Sequence, residues 1–205
     1  TKIAIENDII TIVDGVTSGT VEVTAKTARH EVTFNVTIKA ASALNDGRLT
    51  YFKQQVDKFD ADEDSVLFIG DSFFDTRWFF TDFNTRFEGL NAYTYGTSSA
   101  QAFELLYWGQ YIYDINPKAV VLNIGTNDIF DANMDSKGAI ENVINVLYAY
   151  HVNMPETEIY WFTVIPRIGK STTDIVALNN AVKAYAETNA WLAVVDVYDI
   201  FANDT

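Results

Sequence analysis

Three short stretches carry residue types that could do chemistry together. Gly70-Asp71-Ser72 supplies a hydroxyl, Gly96 sits among small neighbours in "YGTSS", and Gly125-Thr126-Asn127-Asp128 supplies a carboxamide. Acyl transfer needs a nucleophile together with hydrogen-bond donors aimed at the oxyanion that develops on the attacked carbonyl. Ser72 could attack, and its amide could donate if it opens a helix. Gly96 lets a backbone N–H approach a ligand with no Cβ in the way. Asn127 offers a neutral NH₂ that does not titrate. Taken singly, each has a plainer explanation. A serine after a strand commonly caps a helix, glycine makes turns, and Asn-Asp after Gly-Thr bonds locally.

The elements around these stretches make the combination meaningful. Short apolar runs, "SVLFIG", "NAYTYG", "AVVLNIG", "EIYWFTVIP" and "LAVVDV", alternate with helical patterns. Leu49, Phe52, Val56 and Phe59 mark one helix. Ile140, Val143, Ile144 and Leu147 mark a second, and Ile175, Leu178, Val182 and Tyr185 a third, with Ser136 and Thr173 as N-caps. Strands alternating with helices predict βαβ units and a parallel sheet covered on both faces. Ligands of such sheets bind beyond the strands' carboxyl ends. Ser72, Gly96 and Asn127 follow three successive runs, so the pattern predicts that they converge on one rim.

Residues 1–39 differ in period. "GTVEVTAKT" and "HEVTFNVTIKA" are rich in Val and Thr, with Val21, Val23 and Ala25 alternating against Glu22, Thr24 and Lys26. One-sided alternation of this kind suits an antiparallel sheet with a wet face. The expected organisation is a β segment over 1–39 followed by an α/β domain over 40–205. The first segment resembles the later strands of a bacterial immunoglobulin-like domain, on "V.SGT..VT" followed by a "V.V.I" strand.

The larger part, about Ser65 to Val197, resembles the SGNH (GDSL-type) hydrolases. The likeness rests on Gly70-Asp71-Ser72 after "VLFI", on Gly96, and on Gly125-Thr126-Asn127-Asp128 after "VVLNI". It implies a flavodoxin-like three-layer α/β/α sandwich with a five-stranded parallel sheet, and ester hydrolysis with Ser72 as nucleophile. The implied oxyanion hole is the Ser72 and Gly96 amides with the Asn127 side chain. The family takes its base from a late Asp-x-x-His block, and here the sequence departs. The only histidines are His30 and His151, and neither Asp196 nor Asp199 precedes one. His151 is expected at the rim opposite Ser72. The expectation is that the block lies past Thr205 or is missing, with activity correspondingly weak.

Composition narrows the partners. A formal charge of −14 disfavours nucleic acid and anionic lipid surfaces, and zero cysteines exclude thiolate catalysis. No apolar run is long enough to span a membrane. Asp75 and Asp128 lack neighbours at metal-ligand spacing, so no cofactor is expected. The aromatic burst Phe73, Phe74, Trp78, Phe79, Phe80 and Phe83 could line the sheet from a helix or wall the site, with Trp78 the preferred sugar-stacking residue. An exported bacterial esterase acting on acylated carbohydrate accounts for these features, with cell-surface attachment through flanking domains. A noncatalytic carbohydrate- or surface-binding protein on the same scaffold, or a lipase or lysophospholipase, are the alternatives.

Overall fold

The structure, a computed structural model, describes residues 3–6, 9–12, 19–26, 31–38, 46–130, 134–168 and 172–202. The chain divides into two compact units, residues 1–46 and 47–205. In the first, β1 (Ile3–Glu6) pairs antiparallel with β2 (Ile9–Ile12), and β3 (Gly19–Lys26) pairs antiparallel with β4 (Glu31–Ile38). Val23 is buried against Val21 and Val36, while Glu22 and Thr24 face water. This is the one-sided burial that period-2 alternation requires.

The second unit takes in α1 (Asp46–Lys58) from Gly47 onward and continues as β5 (Val66–Gly70), α2 (Phe83–Arg86), β6 (Ala92–Gly96) and α3 (Ala102–Trp108). It proceeds through β7 (Ala119–Asn123), α4 (Thr126–Phe130), α5 (Ser136–Asn153) and β8 (Glu158–Phe162). It closes with α6 (Thr173–Glu187), β9 (Leu192–Val195) and α7 (Tyr198–Ala202). The strands form a five-stranded sheet in the order β6-β5-β7-β8-β9, every pair parallel. The predicted α/β architecture is the one observed.

On one face, Leu67, Ile69, Val120, Leu122, Ile159 and Trp161 pack with residues of α1, α3, α5 and α6 into one core. On the other, Phe68 meets Phe74, Phe83 and Phe87 at ring separations of 5.4, 5.3 and 5.0 Å. That second layer comes from the β5–β6 connection. Two expected N-caps shift by one residue. Asp135 rather than Ser136 caps α5, its Oδ1 accepting from Gly138 N at 2.8 Å, and Thr172 rather than Thr173 precedes α6.

The strand order fixes where a site can form. From β5 the chain runs outward to β6, then returns across β5 to β7. This reversal opens a crevice between the carboxyl ends of β5 and β7. Ser72 follows β5 and Asn127 follows β7.

Candidate active site

Register brings the three stretches to one rim. Gly70 pairs with Gly96 on one side and with Asn123 on the other, so the ends of β6, β5 and β7 lie level. Ser72 is two residues past this line and half-buried. Its hydroxyl and its amide meet no hydrogen-bond partner among the described residues.

Ser72 does not open a helix. Residues 71–79 form successive turns, with Phe74 N donating to Asp71 O, Asp75 N to Ser72 O and Trp78 N to Asp75 O at 3.0–3.2 Å. The cause lies in two aspartates. Asp71 Oδ1 accepts from Phe73 N at 3.0 Å, and Asp75 Oδ1 accepts from Arg77 N at 2.9 Å. Such local capture of backbone donors competes with helix formation. The four-residue α2 begins only at Phe83, so Ser72 does not sit at the N-terminus of the helix that follows β5.

Gly96 is buried and its amide faces its own strand, 3.4 Å from Thr94 Oγ1. The absence of a side chain serves packing. A Cβ here would lie 2.1 Å from the backbone carbon of Phe74 and 2.4 Å from Asp75 N. Gly96 therefore lets the Ser72 turn press against β6.

The sequence reading missed Ser99. It is one of two non-glycine residues with positive φ among the described residues, at 62°. Its amide, like that of Ser72, meets no acceptor among the described residues. Holding a β-carbon residue in the left-handed region costs roughly 1–2 kcal/mol and persists only where surroundings over-determine it. They do so here on both sides. Ser98 N donates to Asp75 Oδ2 at 3.0 Å, and Ala100 O accepts from Asn127 Nδ2 at 2.9 Å. Asn127 is 5% exposed, and that bond uses one of its two amide protons. Asp128, fully buried, takes Ala102 N at 2.9 Å and Asn142 Nδ2 at 3.2 Å. The 97–102 loop is thus clamped from both sides, with an unengaged amide at its tip.

Two carboxylates at this rim differ in their electrostatics. Burial raises the Asp128 pKa, an effect only partly offset by its amide donors. Burial also acts on Asp75, but the Arg77 side chain and the amides of Arg77 and Ser98 outweigh it and hold Asp75 below its ordinary value. Arg77 forks Asp75 and lies over Tyr51, its guanidinium carbon 3.4 Å from the ring centre.

The aromatic burst divides in two. Phe74, Phe80, Phe83 and Phe87 interlock beneath the sheet, the first two from turns and the last two from the short α2 and its C-cap. Trp78 and Phe79 stay outside, 64% and 66% exposed, and Phe73 stacks on Phe79 at 5.2 Å. Phe73 directly follows Ser72.

No described histidine shares this rim. His151 lies in the last turn of α5, which leads into the start of β8. Its ring stacks at 4.3 Å on Trp191, which directly precedes β9. Both positions belong to the sheet's amino-end rim, as expected. His30 lies outside the described residues. Asp196 does reach the carboxyl rim, after β9, but accepts from Lys183 and Thr163. Among the described residues no cluster of His, Cys, Asp or Glu could hold a metal, and no helix is long and apolar enough to cross a membrane.

No family profile matches the sequence, and no characterised protein matches it closely enough to count as a relative. Solved structures do match. A Bacteroides fragilis protein assigned as an acylhydrolase superposes with TM-score 0.63 at 21% identity, over 76% of this chain and 79% of its own. A GDSL-like lipase from Bacteroides thetaiotaomicron gives 0.61 at 20%, over 74% and 78%. A family 3 carbohydrate esterase from Talaromyces cellulolyticus gives 0.53 at 19%, over 69% and 84%. The α/β fold of this chain is therefore the fold of these esterases and lipases.

Proposed function

We propose that the protein is an SGNH-type serine ester hydrolase acting on acyl, chiefly acetyl, esters of carbohydrates. One observation carries this reading. At the topological crevice the serine hydroxyl follows β5, amides that have no acceptor among the described residues follow β5 and β6, and a carboxamide follows β7 at the start of α4. In the proposed reaction Ser72 Oγ attacks the ester carbonyl. Negative charge gathers on the carbonyl oxygen, which takes hydrogen bonds from the Ser72 amide and the remaining Asn127 Nδ2 proton. Sequence resemblance assigns the third donor position to Gly96, but within the 96–99 turn it is Ser99 whose amide meets no acceptor among the described residues. Collapse expels the alcohol, which leaves carrying the proton released from Ser72 Oγ, and the resulting acyl-Ser72 is hydrolysed by water to the carboxylic acid and the free Ser72 hydroxyl.

Exposed Trp78 with the Phe73–Phe79 pair supports a carbohydrate substrate, since flat rings stack on sugar faces. An open ledge gives a long acyl chain little enclosure, which favours acetyl over lipid esters. The −14 charge is consistent with avoiding anionic lipid surfaces. We place the protein outside the bacterial cell, with residues 1–39 as part of an immunoglobulin-like spacer that could serve attachment.

The lack of a histidine at this rim among the described residues favours a second reading, a carbohydrate-binding protein without turnover. Acetylated and deacetylated xylo-oligosaccharides separate the two. The esterase releases acetate from the first, and the release disappears in S72A. A binding protein retains both ligands and releases nothing.

A further inference from the structure

Arg167 occupies the carboxyl rim just past β8, the strand that neighbours β7 in the sheet. Its guanidinium lies 5.1 Å from the centre of the Phe130 ring. Phe130 closes α4, one turn after Asn127. The two segments also meet closer to the sheet. Gly125, at φ 123°, lies so near Val164 that a Cβ would stand 3.4 Å from Val164 Cγ2. The arginine is therefore anchored beside α4, on the Asn127 side of the proposed site.

Its pairing sets it apart. Arg48 binds Glu104, Arg77 binds Asp75 and Arg86 binds Asp82. Of the described arginines, Arg167 alone joins no carboxylate among the described residues. This holds in a chain with 28 acidic and 14 basic residues, where carboxylate partners are plentiful. A half-buried guanidinium held over a ring keeps its planar edge of donors for something else.

We propose that Arg167 is a specificity residue that binds a single carboxylate carried by the ester substrate. The inference rests on the ester-hydrolase reading and names its substrate more narrowly: an acyl ester bearing one acidic group. The overall −14 charge repels polyanions, so one guanidinium beside the site selects a monoanionic small ester over both neutral esters and charged polymers. A carboxylate is favoured because the guanidinium fork matches its two oxygens.

Three esters test this: neutral phenyl acetate, 3-acetoxybenzoate with the charge on the alcohol side, and phenyl hydrogen succinate with the charge on the acyl side. Wild type should prefer one anionic ester over phenyl acetate in kcat/KM, and that ester identifies the side Arg167 faces. R167Q should lose about tenfold on it, the usual scale for a hydrogen bond to a charged group, and change phenyl acetate by less than about twofold. R167K should keep part of the preference, and salt should erode it. A binding arm needs no turnover. In NMR titrations 3-hydroxybenzoate or succinate should bind wild type about tenfold more tightly than R167Q, while phenol binds both equally. Equal loss on all three esters, or equal anion binding by both proteins, overturns the proposal. Hydrolysis unchanged by S72A would overturn the esterase reading instead, and the binding arm would still decide the role of Arg167.

Discussion

Asn127 Nδ2 donates to the Ala100 carbonyl at 2.9 Å, tying the helix that follows β7 to the loop that follows β6. One side chain thereby does two things in the proposed site. It latches the 97–102 loop with one proton and retains the other for a substrate oxygen. N127A should lower kcat by about 10²–10³, the cost of one oxyanion donor. The broken latch should also lower stability by about 1–2 kcal/mol. Steady-state hydrolysis and denaturant unfolding separate the two effects. A large stability loss with unchanged turnover would leave Asn127 a structural role only.

Ser99 gives a prediction of opposite sign. Its left-handed backbone is strained for any residue with a Cβ, so S99G should raise stability by roughly 1 kcal/mol while leaving the amide donor in place. Turnover should stay within a few-fold of wild type. S99P removes the N–H and cannot reach φ 62°, so it should abolish turnover and destabilise the loop. Thermal melts and ester hydrolysis on both variants read this directly.

Gly96 is predicted to be intolerant for packing reasons. In G96A the new methyl meets backbone at 2.1 Å rather than a movable side chain, so either β6 or the Ser72 turn must shift. Overpacking against backbone belongs at or beyond the upper end of the usual range, about 3 kcal/mol. A denaturant midpoint close to wild type would show that the turn moves freely.

Asp75 and Asp128 make opposite contributions to acid stability. The folded-state pKa of Asp75 is depressed, so its stabilisation is present above the ordinary value of 3.8 and disappears as pH falls through the lower folded value. The Asp128 pKa is raised, so the folded protein takes up that proton before the unfolded chain does. Stability then gains from Asp128 as pH falls toward 3.8. D75N should flatten the acid limb of the stability curve below about pH 4, and D128N should remove the opposing gain above it. Unfolding free energy measured from pH 3 to 7 checks both signs. An acid limb unaltered by D75N would contradict the role given to its pairing with Arg77.

Much of this arrangement was legible in the residues. The strands in "SVLFIG", "NAYTYG" and "AVVLNIG" are buried or half-buried on both faces as parallel strands are, and the residue after each run falls at the rim where the strand order reverses. What stayed hidden was local. Asp71 and Asp75 turn the chain after Ser72 away from a helix, an outcome set by side-chain capture of amides rather than by periodicity. Gly96 looked like a donor because glycine permits close approach. The group that approaches it is the backbone of Phe74 and Asp75. Ser99 carried no signal at all, since a serine in the left-handed region is imposed by Asp75 and Asn127 from elsewhere in the fold. The division of the aromatic burst into a buried set and an exposed ledge likewise depends on which turns face the sheet.

The central claim is that Ser72 is the nucleophile, and covalent labelling tests it most directly. Among the described residues no imidazole shares its rim, so spontaneous turnover should be slow, and free imidazole should accelerate it as a substitute base. A fluorophosphonate, added with imidazole, should leave one adduct per chain. Peptide mapping by mass spectrometry should place it on Ser72, with none in S72A. An adduct on another residue, or equal labelling of S72A, would contradict the account.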